Sequence, residues 1–199
     1  MSSNKDWTGN STTTFSILGA SSHSEKEREQ HDYYATDPKT IEGLLSLGVL
    51  DKNIGVLETA CGEGHLSKKL ESEGFSVFSY DLIDRNYGSV RNFFDFPNDK
   101  KFKINIVTNP PYKFAMEFVE KALSLIEENC FVCMFLKLTF LEGKKRKLLF
   151  GKNPPKIVAV YSERQNCALN GEFSTSESSA VCYGWFVWEK GFKGSPIII

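Results

Sequence analysis

Ile104-Asn105-Ile106-Val107-Thr108-Asn109-Pro110-Pro111-Tyr112 joins an apolar, β-branched run to a rigid turn. The run reads as a buried strand of a parallel sheet. Beyond the turn, Phe114, Phe118, Ala122, Leu125 and Ile126 recur at helical spacing within Lys113 to Glu128. Strand, turn and helix in that order put Asn109 to Tyr112 at the carboxyl end of a strand, where open α/β sheets form their ligand crevice. Two consecutive prolines remove two backbone donors and fix φ, so the turn is stiff and its carbonyls have set directions. An amide side chain, a fixed carbonyl and an aromatic face together suit a planar group bearing an amine. The lone pair of such an amine is delocalised into its ring. If the Asn109 side-chain oxygen and the Pro110 carbonyl each accept one N–H, the nitrogen is drawn toward tetrahedral geometry and its lone pair is aimed outward. Tyr112 can stack on the ring, a contact of roughly 1–3 kcal/mol for a nucleobase.

A second ligand turn lies upstream. Ile54 to Ala60 reads as a strand, Cys61-Gly62-Glu63-Gly64 as a tight turn, and His65 to Glu73 as a helix ended by Gly74. Glycines at 62 and 64 let the backbone approach a ligand closely. The next strand, Phe75 to Tyr80, ends in Asp81, placed to accept hydrogen bonds from a ribose diol. Ser67 stands where a dinucleotide-binding loop would carry its third glycine, so this spacing alone suits NAD as well as S-adenosylmethionine.

Glu58-Thr59-Ala60-Cys61-Gly62-Glu63-Gly64, then Asp81, then Asn109-Pro110-Pro111-Tyr112 resembles the motif set of S-adenosylmethionine-dependent amino-methyltransferases. It is most similar to the N6-adenine DNA methyltransferases, especially small enzymes of phage and prophage type. The resemblance covers about Tyr33 to Lys190. It implies that Glu58, Ala60, Cys61, Gly62, Gly64, Asp81 and Leu82 hold the cofactor, and that Asn109, Pro110, Pro111 and Tyr112 hold the target amine. Tyr33-Tyr34-Ala35-Thr36-Asp37-Pro38 looks like the family's cofactor-lid motif, implying cofactor contacts from Tyr34, Thr36 and Pro38. Asp95, with Phe96 beside it, resembles the acidic residue that contacts the cofactor adenine. The order of lid, glycine motif and Asn-Pro-Pro-Tyr matches the gamma class. Transfer would be direct, with no covalent enzyme intermediate, so Cys61 is not a nucleophile.

The chain of 199 residues is long enough for one domain with a full core, and 41% apolar with 25% charged residues is ordinary globular composition. The patterning predicts strands at 54–60, 76–81, 88–93, 104–108, 129–138, 156–162 and 180–188. Helices are predicted near 38–47, 64–73, 113–128 and 142–150. Alternation at these spacings implies an α/β fold with a mostly parallel, doubly wound sheet. The resemblance refines this to a Rossmann-like class I methyltransferase: seven strands, helices on both faces, and residues 180–188 as an antiparallel closing strand. Residues 33–199 then form a single catalytic domain without a large separate target-recognition domain.

Residues 1–32 are polar, with Trp7, Phe15, Ile17 and Leu18 interspersed. They read either as a loosely packed tail or as a flap over the cofactor or flipped base. Neither a secretory signal nor an apolar span of membrane length is legible. Five cysteines show no disulfide or zinc pattern, and Cys130 and Cys133 lie in an apolar strand that suggests core packing. His23, His31 and His65 are too dispersed for a metal site. A reduced, cytoplasmic setting follows, and the resemblance implies a bacterial or phage-encoded protein.

The net charge is −1, but Lys137 to Arg164 carries eight basic and two acidic residues. Lys137, Lys144, Lys145 and Arg164 are candidates for phosphate contacts beside a target base, although a run at 144–147 fans around a helix and equally suits a solvated surface. Residues 166–179 form the only long late loop, and Phe173, with Phe140, is a candidate aromatic for the target base. Nucleic acid, first of all DNA, is the expected partner, and a further protein could assist target recognition. An enzyme acting on RNA or on a protein glutamine amide, a non-catalytic nucleic-acid binder of the same fold, and a nicotinamide enzyme are the alternatives.

Overall fold

The computed structural model describes residues 34–161, 167–169 and 181–199. The N-terminal residues 1–33 and the candidates Arg164 and Phe173 lie outside the described residues. The elements begin with β1 (Tyr34–Thr36), α1 (Lys39–Ser46), β2 (Val56–Glu58), α2 (His65–Ser72), β3 (Val77–Asp81), β4 (Ser89–Val90) and β5 (Asn105–Thr108). They continue with α3 (Ala115–Leu125), β6 (Phe131–Lys137), α4 (Lys144–Lys152), β7 (Ile157–Val160), β8 (Cys167–Leu169), β9 (Tyr183–Glu189) and β10 (Ile197–Ile198).

One sheet runs in the order β10-β7-β9-β6-β5-β2-β3-β4. Every pairing in it is parallel except those of β9, which is antiparallel to both β6 and β7. All seven predicted strands and all four predicted helices are present, and β9 is the antiparallel strand expected at 180–188. The count of seven strands is corrected to eight. Ile197 and Ile198 add an edge strand by pairing with Ile157 and Val158, and two paired residues leave no periodicity in a sequence. A separate ribbon pairs β1 with β8, with Thr36 opposite Cys167, so part of the expected loop at 166–179 is strand.

Strand alternation sends successive side chains to opposite faces, which accounts for two cores. Leu57, Ile106, Val132, Met134, Phe186 and Trp188 pack under α3 and α4. Val56, Val107, Cys133, Phe135, Trp185 and Val187 pack under α1 and α2. The helices therefore cover both faces. Asn105, at the start of β5, accepts the Phe131 N–H at 2.9 Å and ties β5 to the start of β6. Cys130 and Cys133 are buried. Among the described residues, no helix is long and apolar enough to cross a membrane.

This topology positions the site. β2 lies between β3 and β5, all three parallel, so the turns after Glu58, Asp81 and Thr108 emerge side by side. Chain order reverses across β2 and β5, and such a switch point opens a crevice between neighbouring turns.

Candidate active site

At that switch point lies a cavity of about 460 Å³, within the range of small-molecule sites. Glu58, Thr59, Ala60 and Cys61 from the first turn line it, with Asp81 and Leu82 from the second and Asn109, Pro110 and Pro111 from the third. Thr36 reaches it from β1. Residues chosen from three separated motifs and the lid segment therefore meet in one hollow.

The glycine turn is held by the residue predicted to serve the ribose. Gly62 donates its N–H to Asp81 Oδ2 at 2.8 Å, and Ile83 donates to Asp81 Oδ1 at 3.0 Å. Each carboxylate oxygen keeps a second lone pair that a diol could use. Gly62 and Gly64 adopt φ of +53° and +80°, values that L side chains resist. A Cβ at Gly64 would also collide with the Tyr87 ring.

Glu58 is 2% exposed. Burial pushes its carboxyl up from 4.5 to about 8, against the lowering effect of hydrogen bonding from Ser67, with Asp81 and Glu71 adding repulsion. Ser67 donates to Glu58 and lies 2.6 Å from the Ser79 hydroxyl. The serine that stands in place of a third glycine thus serves the acidic residue of the first motif. Because the folded carboxyl holds its proton more tightly than the unfolded one, the associated stability is complete below about pH 4.5 and is lost as pH rises through about 8. Thermal unfolding between pH 5 and 8 checks this: the melting temperature of Glu58→Gln should depend less on pH than that of the unsubstituted protein. Parallel profiles would remove Glu58 as the titrating group.

Asn109 donates from Nδ2 to Thr36 Oγ1 at 2.7 Å. The turn then tightens into a 3-10 segment, Tyr112–Phe114, in which Phe114 N–H reaches the Pro111 carbonyl at 2.9 Å. Tyr112 stands 5.9 Å from the Tyr183 ring, and Lys137 Nζ lies 4.7 Å above Tyr112. Lys137, at the end of β6, is therefore beside the turn.

Other candidates sit elsewhere. Asp95 is exposed, and Phe96 packs against Tyr80 and under the Arg91 guanidinium, 4.0 Å from its ring centre. The wall of the cavity on this side is instead Asn92, Phe93 and Phe94. Asn92 Oδ1 accepts the Phe94 N–H at 3.0 Å and starts a 3-10 turn, which displaces the wall from the acidic residue. Lys121 pins the following loop to α3 through Asn98 Oδ1 at 2.6 Å. Phe140 is 5% exposed and makes edge contacts with Phe150, Phe186 and Trp188; it is a core residue away from the cavity. Lys144 and Lys145 are exposed on α4, while Arg146 lies over Phe140. Pro38 precedes α1 and is not among the lining residues. Tyr34 contributes backbone to β1.

Sequence reasoning did not select His65, Arg85, Lys113, Phe114 or Phe118, which also line the cavity. Their signal was present only in adjacency to the motifs, since each lies within a few residues of a turn already identified.

No family model and no curated protein matches the chain. Solved structures do. The methyltransferase subunit of a type I restriction-modification system from Streptococcus thermophilus is 14% identical with a TM-score of 0.57, over 84% of this chain and 47% of that one. The type IIG restriction endonuclease BpuSI is 13% identical with a TM-score of 0.56, over 82% of this chain and 26% of that one. A protein from Listeria monocytogenes described as a class I S-adenosylmethionine-dependent methyltransferase is 12% identical with a TM-score of 0.51, over 94% of this chain and 71% of that one. The chain spans about half the length of the first of these. The fold is thus a methyltransferase fold, of α/β class with a mixed sheet.

Proposed function

We propose that this protein transfers a methyl group from S-adenosylmethionine to the exocyclic N6 amine of adenine in DNA. The observation that carries the reading is the meeting of Glu58, Asp81 and Asn109-Pro110-Pro111 on one cavity. S-adenosylmethionine would be held by the Cys61 to Gly64 turn and by Asp81, an acidic side chain at the cavity that suits a cationic ligand. Bound there, it supplies a methyl group on a sulfonium leaving group, so the chain need not furnish a nucleophile. Burial raises the Cys61 thiol to about 12, which keeps it neutral and agrees with that role.

The residues at the turn would do the remaining work. Asn109 and the Pro110 carbonyl accept the two N–H groups of the amine, hold its lone pair in line, and stabilise the charge that develops on nitrogen. The amine's surplus proton is acidic once methylated and can leave to Asn109 or water. Tyr112 stacks on the base, its own ring backed by Lys137 and Tyr183. Residues 33–199 would form this catalytic domain, with nucleic acid as partner and exposed Lys144 and Lys145 meeting phosphates. A base inside a duplex must be extruded to reach the turn. The likeness to restriction-modification subunits supports a nucleic-acid substrate, the lid segment upstream of the glycine turn supports DNA, and the asparagine ahead of Pro-Pro-Tyr supports adenine.

The test is incubation with tritiated S-adenosylmethionine and, separately, duplex DNA, single-stranded DNA and total RNA, followed by digestion to nucleosides. Label in N6-methyladenine from DNA is expected; label confined to RNA would overturn the DNA assignment. Tyr112 gives a finer check. Tyr112→Ala should raise KM for DNA by about tenfold or more, from a lost stacking contact of roughly 1–3 kcal/mol, with cofactor affinity unchanged. Tyr112→Phe should stay close to the unsubstituted protein, and a loss equal to that of alanine would assign the role to the hydroxyl.

A further inference from the structure

We infer that Thr36 is a positioning residue that orients the Asn109 amide for capture of the target amine, an inference that rests on the reading of Asn109 as the amine's acceptor. The two ends of an amide are nearly equal in shape and opposite in hydrogen-bonding character. Its terminal torsion is broad, so packing alone holds it weakly. For base capture the oxygen must face the amine and the nitrogen must be engaged elsewhere. The 2.7 Å bond from Asn109 Nδ2 to Thr36 Oγ1 does this, with the hydroxyl acting as acceptor on the β1 side.

Three further observations support the assignment. Thr36 is 3% exposed, so water has poor access to replace its hydroxyl if that is removed. Both residues line the cavity, so the bond is made at the reaction site rather than behind it. The two residues are 73 positions apart, and Thr36 belongs to the β1–β8 ribbon rather than to the main sheet. Its place is set by pairing with Cys167. The ribbon thereby contributes an atom to the catalytic turn that the main sheet does not provide. The lid resemblance implies a different duty for Thr36, contact with the cofactor, and the two duties separate by experiment.

Thr36→Val keeps the branched shape and removes the lone pairs; Thr36→Ser keeps the hydroxyl. Each full-length variant is compared with the unsubstituted chain in three measurements: the Kd for S-adenosylmethionine by calorimetry, kcat and KM on an adenine-containing duplex at saturating cofactor, and solvent exchange of the Asn109 side-chain amide protons by NMR without any ligand. Thr36→Val should lower kcat by roughly 10²-fold, the scale of misplaced reacting groups. The cofactor Kd should not change, and Thr36→Ser should recover kcat. The Asn109 amide protons should exchange faster in the valine variant alone. A cofactor Kd that weakens in step with activity, with amide exchange unaltered, would overturn the inference and assign the hydroxyl to the cofactor. If the unsubstituted protein methylates no polynucleotide, the functional reading falls, whereas amide exchange still decides whether Thr36 holds Asn109.

Discussion

Asn109→Ala is expected to lower kcat on adenine-containing DNA by about 10²–10³-fold, the effect of removing one oriented group that stabilises charge in a transition state. The physical reason is local. Asn109 stands at the end of β5, on the cavity wall, and its amide is held by Thr36 at 2.7 Å. On the proposed reading, alanine removes the acceptor for one N–H of the amine, so the nitrogen would no longer be drawn out of conjugation. The carbonyl of Pro110 remains, and with it part of the capture. Alanine leaves Glu58, Asp81 and the glycine turn in place, so the Kd for S-adenosylmethionine, measured by calorimetry, should stay within about twofold, well under the 1.4 kcal/mol of a tenfold change. Equal losses in cofactor affinity and turnover would make Asn109 a structural residue of the turn.

Gly62→Val should produce the converse pattern. Gly62 sits at φ +53° and donates its N–H to Asp81 Oδ2. A left-handed conformation costs an L residue roughly 1–2 kcal/mol, and a β-branched one resists it further. The chain can relieve that strain by rotating the peptide, which breaks the Asp81 bond and moves the backbone that approaches the ligand. The cofactor Kd should therefore rise about tenfold or more. Turnover at saturating cofactor should change far less, because Asn109 belongs to another strand and turn. A variant that binds cofactor normally but turns over slowly would reverse the roles assigned to the two turns.

The two predictions rest on different kinds of legibility. Val56 to Gly64 and Ile104 to Tyr112 announce themselves because each couples a strand-like apolar run to a turn of restricted residues, glycine in one and proline in the other. Such signals are local, and the structure places both turns, with Asp81, around one cavity. Asp95 shows the limit of the same reasoning. The resemblance implied that Asp95 contacts the cofactor adenine, yet the Asn92 cap turns the chain so that Phe93 and Phe94 form the wall. Phe140 fails for another reason. Its place among Phe150, Phe186 and Trp188 depends on α4 folding over β9, a contact between segments about forty residues apart.

The sequence by itself determined the strand and helix order of the central sheet, the parallel character of its central strands, and the two turns that meet at the cavity, because period and turn chemistry act over a few residues. Tertiary structure decided the eighth strand, the β1–β8 ribbon, the burial that raises the Glu58 carboxyl and the Thr36–Asn109 bond. Each of these depends on which distant segment excludes water from, or donates a hydrogen bond to, a given atom. No spacing along a chain encodes that until the chain has closed on itself.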